Sequence, residues 1–371
     1  MKNLPAILMA AICIACGCTS RNAWPPVSEY ELKQLPLKTD LPGDPPKNGL
    51  RYWKQPFRSI GAGGAYVTVI IRDGQYELWH NTWGDGIDQR QIVVNRGPDI
   101  FHLGGEEPVF DSSIITDVPD PKTPEQPSSE RGFTRTFMYH NADTGYVLLT
   151  CVCPGYYPGS VPLLPALVRS KTGQPGTWSY TRKLTGEPLD EGAKRNIWSD
   201  GGTLIRLDDC GERIPAGNAP ARPARWRIYL NGFGQKVAAI ESDTLDGPWR
   251  FLRNADGTIR DLLPGENGGP WVNVLRVRPD LWHLWLTDTW PPQAIWHFWS
   301  RDGLTWQLYG KQPEITRAAV GGHAIKCLRT YLDPDGQTII GLLSVWVAGK
   351  KDGEGGWVLH ASRMPVGPPP E

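Results

Sequence analysis

The sequence predicts an all-β fold: a five-bladed β-propeller preceded by a lipoprotein signal and a tether. The 371-residue chain contains 42 Gly, 35 Pro and 17 Trp. These residues are spread along its length, as expected for many short strands joined by tight turns. A strand-rich unit recurs five times, and few segments have helical periodicity. Radial packing of such units as blades protects the strand edges.

The first 17 residues are predicted to be a signal peptide. Lys2 supplies a positive charge, and the apolar run from Leu4 to Ile14 is too short to span a bilayer. The run leads into Ala15-Cys16-Gly17-Cys18, which resembles a bacterial lipobox with Cys18 as the lipidated residue. The leucine that usually lies three residues before this cysteine is missing. Lipidation at Cys16 and secretion without a lipid are therefore the alternatives.

Residues 18–48 are predicted to be a lipidated tether, because proline and polar residues dominate them. The expected location is the bacterial cell envelope, at the outer membrane or facing the periplasm, with the lipid as the only membrane contact. The chain has 39 Lys plus Arg and 39 Asp plus Glu. This balance gives no sign of a nucleic-acid partner or an anionic membrane surface, whereas a neutral partner is permitted.

The propeller is predicted to span residues 49–364, followed by a C-terminal tail, 365–371. Each unit starts at glycine, continues through apolar and aromatic strands, and in units two to four closes on tryptophan. The five starting dipeptides are Gly63-Gly64, Arg131-Gly132, Gly201-Gly202, Gly268-Gly269 and Gly321-Gly322.

Unit five lacks a fourth strand and a closing tryptophan, so we predict that another segment of the chain completes this blade and closes the ring. The segment Gly49 to Lys54 precedes unit one and contains Trp53, so we expect it to complete the last blade. The closing tryptophans, Trp178, Trp249 and Trp306, are expected to pack between blades and not to bind sugar.

Four cysteines follow the signal peptide: Cys151, Cys153, Cys210 and Cys327. No pair has the spacing of a zinc ribbon, and Cys151 and Cys153 alternate within an apolar run, which places both on one face of a strand. We expect buried free thiols. One disulfide is the alternative in an exported protein.

Two short motifs carry a family resemblance. Asp302-Gly303 has no residue between Asp and Gly, unlike the corresponding motif of sialidases. Asp246-Gly247-Pro248-Trp249 matches a tag that ends blades in glycoside hydrolases of family 43 and the related families 32, 62 and 117. Over residues 57 to 364 the chain resembles these five-bladed enzymes. The resemblance implies a carbohydrate in an axial funnel, flanked by a general base in blade one, a pKa-setting Asp in blade three and a general acid Glu in blade four.

Asp200 corresponds to the third-blade Asp of that pattern, although a turn Asp that binds its own backbone is the alternative. Glu266 is the candidate general acid, with an offset of a few residues from the family position and a solvated loop Glu as the alternative. Blade one has only Gly and Ala from Gly61 to Ala65, where the family has its base. Substitutes on the same rim are Asp85, Asp88, Glu106 and Glu107.

Further candidates concern substrate and metal binding. The Glu130-Arg131 pair would place a positive charge, the Arg131 guanidinium, on an acidic sugar, or would form an ion pair within the protein. Arg195 has the same two interpretations. His323 follows Gly322 as in the fifth-blade Gly-His of family 43, which in some members helps to hold calcium, so the resemblance implies calcium as a cofactor. The other strand histidines, His80, His140, His283, His297 and His360, are expected to be packing residues.

These features together favour an exported glycoside hydrolase that acts on a plant or algal polysaccharide or oligosaccharide. The missing carboxylate in blade one motivates a second hypothesis, a catalytically silent carbohydrate-binding lipoprotein. A third is a polysaccharide lyase or a phosphorylase on the same scaffold, which would need a Tyr or His base or a basic phosphate pocket.

Overall fold

The structure, a computed structural model, describes residues 53, 57–63, 66–81, 91–116, 132–153, 164–186, 202–207, 226–231, 237–263, 271–287, 294–309, 313–316, 325–347 and 356–366. Over these ranges the chain forms 21 β-strands and one short 3-10 helix, Ser112–Ile114. The predicted all-β fold is confirmed. No helix in these ranges has the length and apolar character needed to cross a membrane.

The strands form five antiparallel sheets, one for each blade. The first strand, β1 (Arg58–Gly63), belongs to the last blade. Blade one is β2 (Thr68–Arg72), β3 (Gln75–Asn81), β4 (Gln91–Gly97) and β5 (Glu107–Asp111). Blade two is β6 (Gly132–Asn141), β7 (Gly145–Cys153), β8 (Leu164–Ser170) and β9 (Ser179–Lys183). Blade three is β10 (Gly202–Arg206), β11 (Trp226–Asn231), β12 (Val237–Ser242) and β13 (Arg250–Phe251).

Blade four is β14 (Trp271–Arg278), β15 (Leu281–Thr287), β16 (Ala294–Ser300) and β17 (Gln307–Leu308), with β18 (Ile315–Thr316) also on β16. Blade five is β19 (Ile325–Leu332), β20 (Thr338–Val347), β21 (Gly356–Pro365) and β1. The first strand of each blade contacts the first strands of its two neighbours, so β2, β6, β10, β14 and β19 surround the axis. The five-bladed prediction is confirmed.

An N-terminal strand closes the ring, but a different one from that predicted. β1 pairs with β21, with Arg58 opposite Ala361 and Ser59 opposite His360. The predicted segment, 49–54, is described only at Trp53, which is 5% exposed in the core between blades four and five. The spare tryptophan therefore packs against the last blade as expected, whereas the closing strand begins four residues later, after Lys54.

The cores lie between blades, which explains the composition of the strands. Each of five apolar clusters combines side chains of two adjacent blades: one and two, two and three, three and four, four and five, and five and one. Both faces of a blade are thus covered, and all seven residues of β15 are buried. Such strands have continuous apolar runs and little polar alternation, because neither face meets water.

The closing tryptophans fill these inter-blade cores, as predicted. Trp178, Trp249 and Trp306 are 8%, 0% and 4% exposed. A serine at the end of the third strand shapes the turn that leads to each tryptophan. Ser300 Oγ, for example, accepts hydrogen bonds from the backbone N–H groups of Asp302 and Gly303 at 3.2 and 2.9 Å. The Ser…Trp spacing is therefore a local signal for the end of a blade.

Of the four cysteines, Cys327 is a buried thiol that forms no disulfide, as predicted. Cys151 and Cys153 both lie in β7, which confirms the strand, but their side chains and the whole of Cys210 lie outside the described residues.

Candidate active-site funnel

The innermost strands run parallel to one another around the axis. Thr136 Oγ1 donates to Tyr66 O at 2.6 Å, and two residues further along both chains Met138 N donates to Thr68 Oγ1 at 3.1 Å. Residue numbers therefore rise together on the strands of blades one and two. The contacts of blades four and five, Arg329 with Val272 and Thr330 with Asn273, rise together in the same way. The innermost strands consequently begin at one face of the ring, the opening face.

Side chains on these strands form hydrogen bonds with backbone and side-chain groups at the inner edge of the next blade. Thr203 Oγ1 accepts from Val274 N at 3.2 Å, and Asn273 Nδ2 donates to Thr330 Oγ1 at 2.6 Å. An inner edge would otherwise present unpaired N–H and C=O groups, which are unfavourable when buried. Threonine and asparagine on the first strand of a blade thus link neighbouring blades around the axis, at the floor of the funnel.

Arg329 of β19 is the residue that crosses this floor. It is 4% exposed, and its Nη1 donates to the Val272 carbonyl of blade four at 3.2 Å. Its guanidinium carbon lies 5.6 Å from the ring centroid of Phe137 in blade two. Blades five and two are not neighbours in the ring, so the side chain spans the axis. Val272 is the second residue of β14, which places the guanidinium near the opening face.

Burial is the largest influence on Arg329 and lowers the pKa of its guanidinium from the ordinary value of 12.5. The side chain nevertheless stays protonated at neutral pH, because arginine does not lose its proton in proteins. The funnel floor therefore carries a fixed positive charge. Arg329 is not among the site residues predicted from the sequence. The available signal was a single arginine within an otherwise mostly apolar innermost strand, Ile325–Leu332.

The eight site residues predicted from the sequence lie outside the described residues: Asp85, Glu130, Arg131, Arg195, Asp200, Glu266, His323 and Cys18. Four of them precede innermost strands by a short stretch of chain. β6 begins directly after Arg131, β10 two residues after Asp200, β14 five residues after Glu266, and β19 two residues after His323. The strands that follow these residues all begin at the opening face.

Two of the proposed substitutes for the base are wrong. Glu107 begins β5, the outermost strand of blade one, and Glu106 directly precedes it. Three strand spacings separate β5 from the innermost strand β2, about 14 Å. Glu107 forms an ion pair with Arg96, and Glu106 Oε1 lies 3.8 Å from His80 Nε2. Both carboxylates therefore belong to the outer edge of the blade and not to the funnel.

No carboxylate precedes the innermost strand of blade one at the positions that the structure describes. Tyr66 and Val67 lead directly into β2 and are 3% and 1% exposed. Gly61 to Gly63, where the family pattern has its base, belong to β1 of blade five. The absence seen in the sequence thus extends to the described residues at the start of this strand.

Three of the strand histidines are packing residues, as predicted. His80, His283 and His297 are 2%, 3% and 0% exposed. His80 Nε2 pairs with Asn95 Oδ1 at 2.8 Å, and His283 Nδ1 pairs with His297 Nε2 at 2.8 Å. His297 Nδ1 in turn contacts the carboxylate of Glu314. No group of three His, Cys, Asp or Glu that could hold a metal ion occurs within the described ranges.

Comparisons with known proteins rest on structure alone, since no protein-family model matches the sequence and no curated protein sequence is significantly similar. A family 43 β-1,3-galactosidase solved with galactodeoxynojirimycin has a TM-score of 0.53 and 13% identity, over 85% of this chain and 95% of that chain. A thermostable family 43 glycoside hydrolase has a TM-score of 0.50 and 13% identity, over 86% and 98%. An exo-β-1,3-galactanase from Phanerochaete chrysosporium with galactose has a TM-score of 0.51 and 9% identity, over 85% and 64%.

The protein has the fold of the five-bladed glycoside hydrolases. The similarity extends over most of the propeller, whereas identities of 9 to 13% leave the chemistry to be argued from this chain's own residues.

Proposed function

We propose that the protein is a glycoside hydrolase that cleaves a plant or algal polysaccharide or oligosaccharide in its axial funnel. The observation that carries the proposal is the common opening face of the innermost strands, because β10 and β14 follow Asp200 and Glu266 closely in the chain. Hydrolysis needs one protonated carboxyl group on the leaving oxygen and one ionised group that activates water or attacks the sugar. Glu266 is assigned the acid role, and Asp200 raises its pKa as a neighbouring negative charge.

The test is turnover by the full-length protein. β-1,3-Linked galactan oligosaccharides come first, because two of the similar structures are named for that linkage, and a panel of plant and algal oligosaccharides follows. Asp200→Asn and Glu266→Gln should each reduce turnover by about 10²- to 10⁴-fold. Glu106→Gln, an exposed carboxylate at the outer edge, is the matched control and should keep full activity. If no glycan yields a product, the hydrolase proposal is wrong.

The acid role of Glu266 has its own test. An aryl glycoside with a good leaving group needs little protonation, so Glu266→Gln should lower its rate much less than that of a natural glycan. The wild-type pH profile should be bell-shaped, and the variant should lack the alkaline limb. Equal loss on both substrates would show that Glu266 is not the acid.

The remaining assignments concern the base, the substrate contacts and calcium. Asp85 is proposed on the funnel rim as base or sugar contact, with Glu130, Arg131 and Arg195 as further contacts. Calcium at His323 would be held by oxygen ligands, and a chelator should then lower the melting temperature reversibly. The charge of Arg329 would repel a cation placed within a few ångströms on the axis, so no catalytic step is assigned to calcium.

A carbohydrate-binding protein without catalysis is the second candidate, favoured by the buried Tyr66 and Val67 at the start of β2, where no carboxylate is found. It predicts saturable glycan binding, unchanged in Glu266→Gln, with no product. An unsaturated product would indicate a lyase, and a phosphate-dependent sugar phosphate would indicate a phosphorylase.

The proposal places the protein in the bacterial cell envelope, anchored through a lipid on Cys18. The full chain expressed in a Gram-negative host should partition with membranes, and Cys18→Ser should release it. Soluble export of the unmutated chain would contradict the anchor.

A further inference from the structure

Among the residues that the structure describes, buried charges are paired, with one exception. Five Arg or Glu side chains are buried within the described ranges: Glu77, Arg206, Arg227, Glu314 and Arg329. Glu77 pairs with Arg72 and Arg96, Arg206 with Asp143, Arg227 with Glu241, and Glu314 with His297. No described carboxylate pairs with Arg329. A buried guanidinium without an anion is unfavourable, because desolvation of its charge is left uncompensated.

The hydrogen bonds of Arg329 show which side of the guanidinium is free. Nη1 donates to the Val272 carbonyl, whereas Nε is buried without a partner. Nη2 also has no acceptor among the described residues. Nε and Nη2 form one edge of the guanidinium plane. Their parallel N–H groups are the fork that binds a carboxylate or sulfate through two hydrogen bonds.

The free edge of the guanidinium lies on the axis of the funnel. The guanidinium spans the axis between Phe137 of blade two and Val272 of blade four, and Val272 is only the second residue of its innermost strand. The neighbouring aromatic ring and the closely packed blades exclude water, which strengthens the attraction between the guanidinium and an anion. A group that enters from the opening face and reaches the floor therefore meets a desolvated cation.

We propose that Arg329 makes the floor of the funnel a binding site for an oxyanion, a carboxylate or sulfate group held by the Nε and Nη2 edge. The anion is either a substituent of an acidic sugar or a free ion. The site is independent of turnover, so it applies equally to a hydrolase and to a carbohydrate-binding protein.

Thermal unfolding of the full-length protein separates the two sources. Sodium glucuronate and sodium galacturonate are compared with glucose and galactose in sodium chloride at equal sodium concentration, and sodium sulfate and sodium acetate provide the free anions. A ligand at ten or more times its Kd should raise the melting temperature by about 2 to 4 °C. Arg329→Met should abolish this rise. Arg278→Met, which removes an arginine that is 47% exposed, should retain it.

A rise with uronates alone assigns the site to acidic sugars, and an equal rise with sulfate or acetate assigns it to a free anion. The proposal is overturned if no anion raises the melting temperature of the wild type. It is also overturned if Arg329→Met responds as the wild type does. Should Arg329→Met fail to fold, Arg329→Lys keeps the charge without the fork and should bind anions at least tenfold more weakly. A rise in melting temperature without turnover would contradict only the hydrolase proposal. Turnover without a rise in melting temperature would contradict only the proposed anion site at Arg329.

Discussion

Two buried arginines of this propeller occupy opposite electrostatic environments. Arg227 lies within blade three, where its Nε donates to Glu241 Oε1 at 2.6 Å and its Nη1 to Tyr229 OH at 3.0 Å. Arg329 lies on the axis with one carbonyl acceptor. Burial lowers the pKa of both, but the contacts of Arg227 with Tyr229 and Glu241 outweigh burial and raise its pKa. At Arg329 the smaller effects of Cys327 and Tyr66, which raise the pKa, do not outweigh burial.

The presence or absence of a charged partner distinguishes structural from functional charges in a repeat fold. A blade is stabilised by its own residues, so a charge that serves the blade has its partner within the blade or in the next one. A charge on the axis faces the funnel, where a ligand can supply the partner. Variants of buried and exposed charges test this distinction.

The largest effect is expected for Arg227→Met. Glu241 loses its cation and Tyr229 loses a donor, so the free energy of unfolding should fall by about 3 to 5 kcal/mol. Urea denaturation at pH 7 measures the loss. Arg278→Met, at a surface pair with Asp280, should change the free energy by 1 kcal/mol or less, a bound of about the size expected for exposed pairs. Similar losses in both variants would remove the distinction between buried and exposed pairs.

Glu241→Gln should have the next largest effect. The variant keeps the shape of the side chain but replaces a charged hydrogen bond to Arg227, and we expect a loss of about 1 to 3 kcal/mol. Most of this loss should disappear when Arg227→Met is already present, because the two residues act as one unit. Additive losses in the double variant would show that Glu241 stabilises blade three through other contacts.

His283 differs from the buried arginines because a buried imidazole can release its proton and become neutral. Burial, followed by the proximity of His297 and Arg278, lowers the pKa of His283 well below 6.5. Above pH 6.5 the His283 imidazole is neutral in both the folded and the unfolded state. Below it the unfolded state takes up a proton that the folded state does not bind, so stability should fall by up to about 1.4 kcal/mol per pH unit. His283→Gln should flatten this decline between pH 6.5 and 5, measured by urea denaturation. An unchanged slope would contradict it.

Arg329→Met should have the smallest effect on stability. In buffer of low salt and without added oxyanions, the variant leaves no described carboxylate unpaired and loses one hydrogen bond to a carbonyl. The free energy of unfolding should therefore change by about 1 kcal/mol or less. A loss as large as that of Arg227→Met would show that Arg329 is stabilised by a partner within the chain.

The five-bladed fold could be predicted from the sequence because its signals are local and repeated. Glycine at the start of a unit and Ser…Trp at its end recur with the blades, and the Asp73-Gly74 turn joins β2 to β3 with both residues at positive φ, 52° and 74°. The closing strand could not be placed as well. Its pairing with β21 is set by contacts across some 300 residues, which no local pattern encodes.

The candidate site was harder to predict, for two physical reasons. Glu106 and Glu107 are predicted to lie on the funnel rim, in a stretch where charged residues and Pro108 interrupt the apolar pattern. An outermost strand, however, tolerates proline and charge since one edge is free. Arg329 was missed because its importance depends on what surrounds it. An arginine in an apolar strand gives the same sequence pattern whether or not a carboxylate lies beside it in the folded protein.

The pairing of β1 with β21 also determines when the protein can fold during synthesis. Arg58 is translated before blade one, but Ala361, its partner, is translated only after the first four blades. Until then β1 and β20 lack β21, the strand that pairs with both, and blades one and five cannot be held together by this sheet. Ring closure therefore requires the strands of all five blades to have been translated. A chain truncated before β21 would remain an open arc with two exposed edges, a substrate for aggregation or proteolysis.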